Sequence, residues 1–340
     1  MKMRKIVCSF MISVLCFMTA ISGVSATSYD TSKINAAYSK VVEYYKNNNN
    51  LNNADKILAV ESLGLEAESN QFDTSSADLS STSLSKKIVT EVLLGVDPTE
   101  DKKTLESQID ENGNVEGSWG ASSDVWTLYA LYVTSSEKAN LIANKLNDEL
   151  AASSVCGYEW GGTYYADYDT TGWVIEGLAV VNKEKYATTI NKAIDYIKNN
   201  TTMPTTGWVT ADNVDTQSQV LEGMFAYDTN ALLNDSYTVH PVDCLLNTQL
   251  SDGSFPSGYN AEYTTAEVAK TLGTYKNGSV FEKAKKAYDK MMNPEQPDNT
   301  KPAQPTDTKK DSQSTNKVET TNQKTTSVKT GDETNVVIFV

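Results

Sequence analysis

The strongest constraint on this chain is that it repeats itself. G-S-W-G-A-S-S-D-V-W-T-L-Y-A-L from Gly117 is echoed by W-G-G-T-Y-Y-A-D-Y-D-T-T-G-W-V-I-E-G-L-A from Trp160. Two more copies follow, G-W-V-T-A-D-N-V-D-T-Q-S-Q-V-L-E-G-M-F-A from Gly207 and D-G-S-F-P-S-G-Y-N-A-E-Y-T-T-A-E-V-A-K-T-L-G from Asp252. Each is a glycine-aromatic turn, a short acidic loop, then an Asp or Thr that opens an apolar helix. With Asp124, Asp169, Asp215 and Thr264 as the openings, the copies step by 45, 46 and 49 residues. A period of that length corresponds to one helical hairpin per unit, stacked so that neighbours bury each other's apolar faces.

The pattern around these copies is helical too. Ile34, Ala37, Val41 and Tyr45 recur at helical spacing, as do Tyr186, Ile190, Ala193, Ile194 and Ile197, with lysines opposite. Gly64, Gly95 and Gly273 each follow an apolar run, where a helix-terminating glycine is expected. Amphipathic helices are expected over 137–152, 184–200, 237–250 and 279–292, and weaker hairpins over 32–47 with 54–64 and 83–95 with 101–109. A linear stack of such hairpins leaves an apolar end uncovered, and a closed ring does not. The expected fold is therefore all-α, an (α/α)6 toroid over 27–293 with apolar inner and half-polar outer helices.

The two ends read differently. M-K-M-R-K, the apolar run from Ile6 to Gly23 and Val24-Ser25-Ala26 have the form of a secretory signal peptide, cut after Ala26. Its removal takes Lys2, Arg4 and Lys5 and no acid, so the net charge of −15 becomes −18. Cys8 and Cys16 go as well, leaving Cys156 and Cys244, whose pairing the sequence leaves open. Residues 294–326, rich in Pro, Thr, Ser and Lys, are expected to form a disordered, solvated stalk. The segment 327–340, S-V-K-T-G-D-E-T-N-V-V-I-F-V, resembles a Gram-positive sortase sorting signal. Val328, Lys329, Thr330 and Gly331 stand at the cleavage motif, Val328 where that family has proline, and the short apolar run after it reads as a truncated anchor. The resemblance implies a sortase as partner and a secreted protein joined through Thr330 to the cell wall.

Charge removes whole classes of function. Residues 27–293 carry 20 basic against 37 acidic side chains, which argues against nucleic acid and against a polybasic membrane surface. His240 is the single histidine, so two-histidine mechanisms and histidine-rich metal cages are excluded. Nothing in the sequence calls for a cofactor or a metal.

The turns, above all Gln249-Leu250-Ser251-Asp252-Gly253-Ser254-Phe255, resemble the Q-x-x-D-G-S-W/F repeat of the squalene cyclase and protein prenyltransferase superfamily, over residues 50–293. The resemblance implies an (α/α)6 barrel with a cavity at one mouth. That superfamily spans terpene cyclases, prenyltransferases, complement-like thioester domains and cobalamin carriers, so the fold alone fixes no function. Class II cyclases use the middle Asp of a D-x-D-D motif, and Asp167-Tyr168-Asp169-Thr170 puts Asp169 in that place with Thr170 for the last Asp. A helix-opening position favours the ionised carboxylate, the opposite of a strong acid, so Asp169, like Asp124 and Asp215, reads first as an N-cap. Prenyltransferases hold zinc through an Asp-x-Cys pair and a distant His; here His240-Pro241-Val242-Asp243-Cys244 crowds the three together and reads as a helix start. The thioester motif G-C-G-E-Q is absent, and the small second domain of a cobalamin carrier is replaced by the stalk. Asp110-Glu111-Asn112-Gly113-Asn114-Val115-Glu116 reads as a polar turn rather than a calcium loop.

Glu176 and Glu222 lie seven residues after Asp169 and Asp215, on the same helix face, and are the unusual residues of apolar helices. Paired carboxylates suit a glycan hydrolase or lyase, while hydrogen bonds that fix the register between repeats are the preferred reading. Trp119, Trp160, Trp173, Trp208 and Tyr263, with Asp124, Asp167 and Asp215, are expected at the mouth, where aromatics and carboxylates grip sugars or cations. The expectation is a surface protein that binds a small molecule, a polysaccharide or a protein at that mouth. The alternative is an enzyme, acting on carbohydrate through Glu176 and Glu222 or as a diverged cyclase through Asp169.

Overall fold

The computed structural model describes residues 29–68, 80–207 and 213–294, and these form twelve helices and one β-hairpin. Trp208, the expected signal peptide, the sorting residues Val328–Gly331 and the stalk beyond Pro294 lie outside the described residues. The chain divides after Gln296 into two units, and every described residue belongs to the first. In order, α1 is Ser32–Asn47, α2 Ala54–Ser62, α3 Ser81–Leu93, α4 Thr99–Ser107, α5 Ala121–Val133 and α6 Ala139–Ser153. Strands β1 (Gly157–Trp160) and β2 (Thr163–Ala166) precede α7 (Tyr168–Asn200), α8 (Met203–Thr206), α9 (Val214–Asn234), α10 (Pro241–Leu246), α11 (Ala261–Asn277) and α12 (Val280–Met292). The fold is all-α, with one addition that periodicity did not announce: β1 and β2 pair antiparallel across Gly161-Gly162, both at positive φ.

Apolar helices pack side by side in sequence order. α2 packs on α3, α3 on α5, α5 on α7, α7 on α9, α9 on α11, and α11 returns to α2. Their core faces are the residues that helical spacing predicts, such as Val125, Leu128 and Leu131 of α5 or Val220, Leu221 and Met224 of α9. Two glycines allow the tightest of these contacts. A Cβ on Gly172 of α7 would collide with the Gln219 carbonyl of α9, and one on Gly223 with the carbonyl of Gly172 itself. Half-polar helices lie against this set: α4 on α3, α6 on α5 and α7, and α1 on α10 and α11.

Several expected boundaries move. Asp167 and Asn213, not Asp169 and Asp215, cap α7 and α9, each accepting from the backbone N–H of Thr170 or Thr216. Asp124 lies in the first turn of α5, behind Gly120. Asp169 and Asp215 thus sit two residues past the cap, in the first turn, where their side chains meet the Thr216 and Thr264 hydroxyls of the next helix. Gly64 and Gly95 end helices at positive φ as expected, but Gly273 does not end α11, which runs four residues further. A Cβ there would strike Ser62, so its smallness serves the α11–α2 crossing. The segment 237–250 holds only the short α10, and 184–200 continues α7 past a break at Asn182. α12 was expected as an outer helix, yet it packs on α2, α3, α5 and α11 and sends Phe281 inward, stacked on Tyr129 at 3.6 Å.

Candidate functional site

Three of the four repeats place three side chains each on one interior face, and the fourth places two. α7 contributes Asp169, Trp173 and Glu176; α9 contributes Asp215, Gln219 and Glu222; α11 contributes Tyr263, Glu267 and Lys270; α5 contributes Trp126 and Tyr129 at the two inner levels. The spacing of four and three residues is that of a single helix face. The helices run parallel, because start meets start and middle meets middle. The Thr216 hydroxyl near the start of α9 bonds Asp169 near the start of α7, Gln219 meets Glu267 at 3.3 Å, and Lys270 meets Glu222 at 3.8 Å.

The innermost level is a sealed charge cluster. Lys270 Nζ lies 3.0 Å from Glu267, and Lys270, Glu222 and Glu176 are each 1% exposed. Burial works against the Lys270 charge, but the attraction of Glu222, Glu267 and Glu176 outweighs it and holds the ammonium group above its usual pKa. Burial pushes Glu222 well up, Lys270 opposing and the neighbouring carboxylates adding to it. Glu176 also rises through burial, against the hydroxyls of Ser279 and Tyr129. Tyr129 donates to the Trp173 carbonyl at 2.8 Å and to Glu176 at 3.2 Å, and Thr274 donates to Glu222 at 3.4 Å. Trp126 stands beside this cluster, with the ammonium of Lys86 4.4 Å and that of Lys270 5.6 Å from its ring centre.

The outer level is half-open. Asp169, Asp215, Trp173 and Tyr263 are all partly exposed. Burial pushes the Asp169 carboxyl up to about 6, the Thr216 hydroxyl opposing it and the charges of Asp167 and Asp215 adding to it. Burial raises Asp215 as well, against the Thr264 hydroxyl. This runs against the expectation that a helix-opening position favours the ionised carboxylate: in the first turn of α7 the burial of Asp169 outweighs the dipole.

The other expected mouth residues are spread out. Trp119, 90% exposed, projects from the turn before α5. Asp124 is fully buried, accepts from Ser118 at 2.6 Å and pairs with Lys145 at 2.8 Å, so it is a structural ion pair rather than a mouth residue. Asp167 is spent on its cap, with Thr170 Oγ1 also donating to it. Trp160 lies in β1 of the hairpin, across which the exposed rings of Tyr158 (β1) and Tyr165 (β2) stack. His240, Asp243 and Cys244 have separate partners: Val242 N–H donates to His240, Tyr29 and Lys33 bind Asp243, and the Cys244 thiol reaches the Thr206 carbonyl. Cys156 and Cys244 are free thiols. Among the described residues no three His, Cys, Asp or Glu side chains converge as a metal site. Asp110 accepts from the N–H groups of Asn112 and Asn114 and forms a polar turn.

Sequence reasoning found Asp169, Glu176 and Glu222 but missed Glu267, Gln219, Tyr129 and Lys270, the one buried cation among the described residues. The signal lies one residue off the register opened at Thr264: with Tyr263 in the place of Asp215, the last step is 48. Glu222 and Lys270 occupy the same position 48 residues apart, as do Gln219 and Glu267. No family model matches the sequence, and no curated protein or solved structure matches it either.

Proposed function

We propose that this chain is an exported, wall-tethered surface protein whose helical domain is a closed (α/α)6 toroid, similar to the squalene cyclase and prenyltransferase superfamily, and that it binds a ligand where the inner helices begin. The cyclic succession of packed helices from α2 through α11 and back supports the ring. The binding reading rests on one contrast. Asp169, Asp215, Trp173 and Tyr263 are partly exposed at the start of the inner helices, while the carboxylates further in are sealed beneath them. Glu176 and Glu222 are each 1% exposed, and Tyr129, which donates to Glu176, is itself stacked on Phe281. A glycan hydrolase or lyase needs its carboxyls on either side of a bound sugar, so those two fit register-fixing better than catalysis.

One observation favours the enzymatic alternative at the outer level. Asp169, held near pKa 6 beside two tryptophans, Trp173 and, 5.9 Å beyond it, Trp126, keeps its proton under mildly acidic conditions. Such a carboxyl suits a proton donor as well as a ligand contact. The test is thermal unfolding of the chain from Thr27 on against glycans, cationic small molecules, isoprenoids and corrinoids, with product analysis for each ligand that raises the midpoint. A shift lost in Trp173→Ala and Asp169→Asn supports binding at this end, and turnover lost in Asp169→Asn alone moves the assignment to an enzyme. A shift that both variants retain rejects the site.

A further inference from the structure

We propose a second binding site, for a neutral saccharide of one or two rings, between the end of α1 and the starts of α2 and α11. A cavity of about 290 Å³ opens there, lined by Tyr44, Tyr45, the asparagine run 47–50, Lys56 and Glu262. It shares no residue with the cluster of Asp169, Trp173 and Tyr263, so it stands or falls separately from that reading. Its volume lies at the lower edge of the roughly 300–1,000 Å³ common for small-molecule pockets, which suits a mono- or disaccharide rather than a long chain.

The lining selects the chemistry. Lys56 and Glu262 pair at 2.9 Å, so the wall carries two charges that cancel and offers no net attraction to an ion. What remains is amides and phenols. Asn47 and Asn48 each donate a side-chain N–H to a carbonyl of the last turn of α1, Glu43 at 2.9 Å and Tyr44 at 2.8 Å. That satisfies helix-terminal acceptors and holds both amides in the cavity wall, where an amide carries an acceptor oxygen as well as its donor. Burial, and then the charges of Glu262 and Asp252, raise the Tyr44 phenol, so it stays protonated and both donates and accepts. Its ring packs edge-on against Tyr45 at 5.3 Å, which holds it in place. Closely spaced groups that each donate and accept, beside a fixed aromatic ring, complement vicinal hydroxyls on a sugar, whose C–H face covers the ring. An apolar ligand would leave these polar groups desolvated without partners.

The test is calorimetric titration of the chain from Thr27 on with cellobiose, maltose, mannobiose and diacetylchitobiose, and with glycylglycine as a zwitterion of similar size. At least one disaccharide is expected to bind saturably with Kd below about 10 mM. The double variant Asn47→Ala with Asn48→Ala is expected to weaken it about fivefold or more. Tyr44→Phe, which removes only a hydroxyl, carries the test if the double variant melts early. The proposal is overturned by no saturable binding of any of the four, by binding that all these variants retain, or by binding of glycylglycine alone. Loss in Trp173→Ala but in none of these variants places the sugar at the inner-helix end and overturns it equally.

Discussion

Lys270 and Glu267, one helical turn apart on α11, form a 3.0 Å ion pair with no access to solvent, and Glu222 of α9 completes it at 3.8 Å. A buried pair adds little net stability, because desolvation cancels most of the attraction, but removing one partner strands the other. Among the described residues Lys270 is the one buried cation, and the carboxylates of Glu222, Glu267 and Glu176 act on it. Lys270→Met is therefore expected to cost about 3–5 kcal/mol in chemical denaturation. Adding Glu222→Gln and Glu267→Gln should recover a large part of that loss. A single variant as stable as the parent would show that the carboxylates already carry protons.

Gly273 makes a second, steric prediction. A Cβ there would overlap Ser62 Oγ and lie 2.6 Å from the Ser62 carbonyl oxygen, which belongs to the backbone of α2 and cannot step aside. Gly273→Ala is expected to destabilise by about 1–3 kcal/mol through overpacking. Gly258→Ala, which meets nothing within 4 Å and has no positive φ, should stay within about 0.5 kcal/mol of the parent. Equal effects of the two would remove the argument that the α11–α2 crossing sets the glycine.

What the sequence made legible follows from what periodicity can report. It placed α1 over its full span, Ser32–Asn47, because apolar positions at helical spacing face one neighbour and lysines face water. It found Glu176 and Glu222, since a carboxylate in an apolar helix stands out. Lys270 did not stand out, because lysine is the ordinary residue of an exposed face and only its registration with Glu222 marks it as interior. Gly273 was misread for a related reason: a glycine after an apolar run looks the same whether it ends a helix or lets another approach. The displacement of Asp169 from the cap into the first turn came to two residues, a shift that side-chain preferences alone do not resolve. α12 carries an amphipathic pattern, and nothing in such a pattern says which helices its apolar face meets.

Asp169 yields a prediction with a definite sign in pH. Its carboxyl is raised from an ordinary 3.8 to about 6, so the folded state binds the proton more tightly than the unfolded one. Asp169 then costs no stability below pH 4, and its ionisation costs progressively more as pH rises to 6, after which the cost is constant. Asp169→Asn mimics the protonated form. The variant should melt with the parent at pH 4 and about 2–5 °C above it at pH 8, read by circular dichroism. A variant that melts below the parent at pH 8 would mean that the ionised carboxylate is the stabilised form.

Glu176 separates register from chemistry. It accepts from Tyr129 of α5, so it links two repeats, and burial raises its pKa despite the nearby hydroxyls. Glutamine keeps the shape and the acceptor while removing the charge that burial disfavours. Glu176→Gln is therefore expected to match the parent at pH 4, where the carboxyl is protonated folded and unfolded, and to exceed it at pH 8, whereas Glu176→Leu loses about 1–3 kcal/mol by removing an acceptor of the Ser279 and Tyr129 hydroxyls. Ligand-induced shifts in melting temperature should be the same in parent and Glu176→Gln, because the side chain lies beneath the half-open level and touches nothing that enters it. If Glu176→Gln instead keeps full stability but abolishes turnover of some glycan, the sealed interior must open during a catalytic cycle, and Phe281, stacked on Tyr129 above the same carboxylate, is the side chain that has to move.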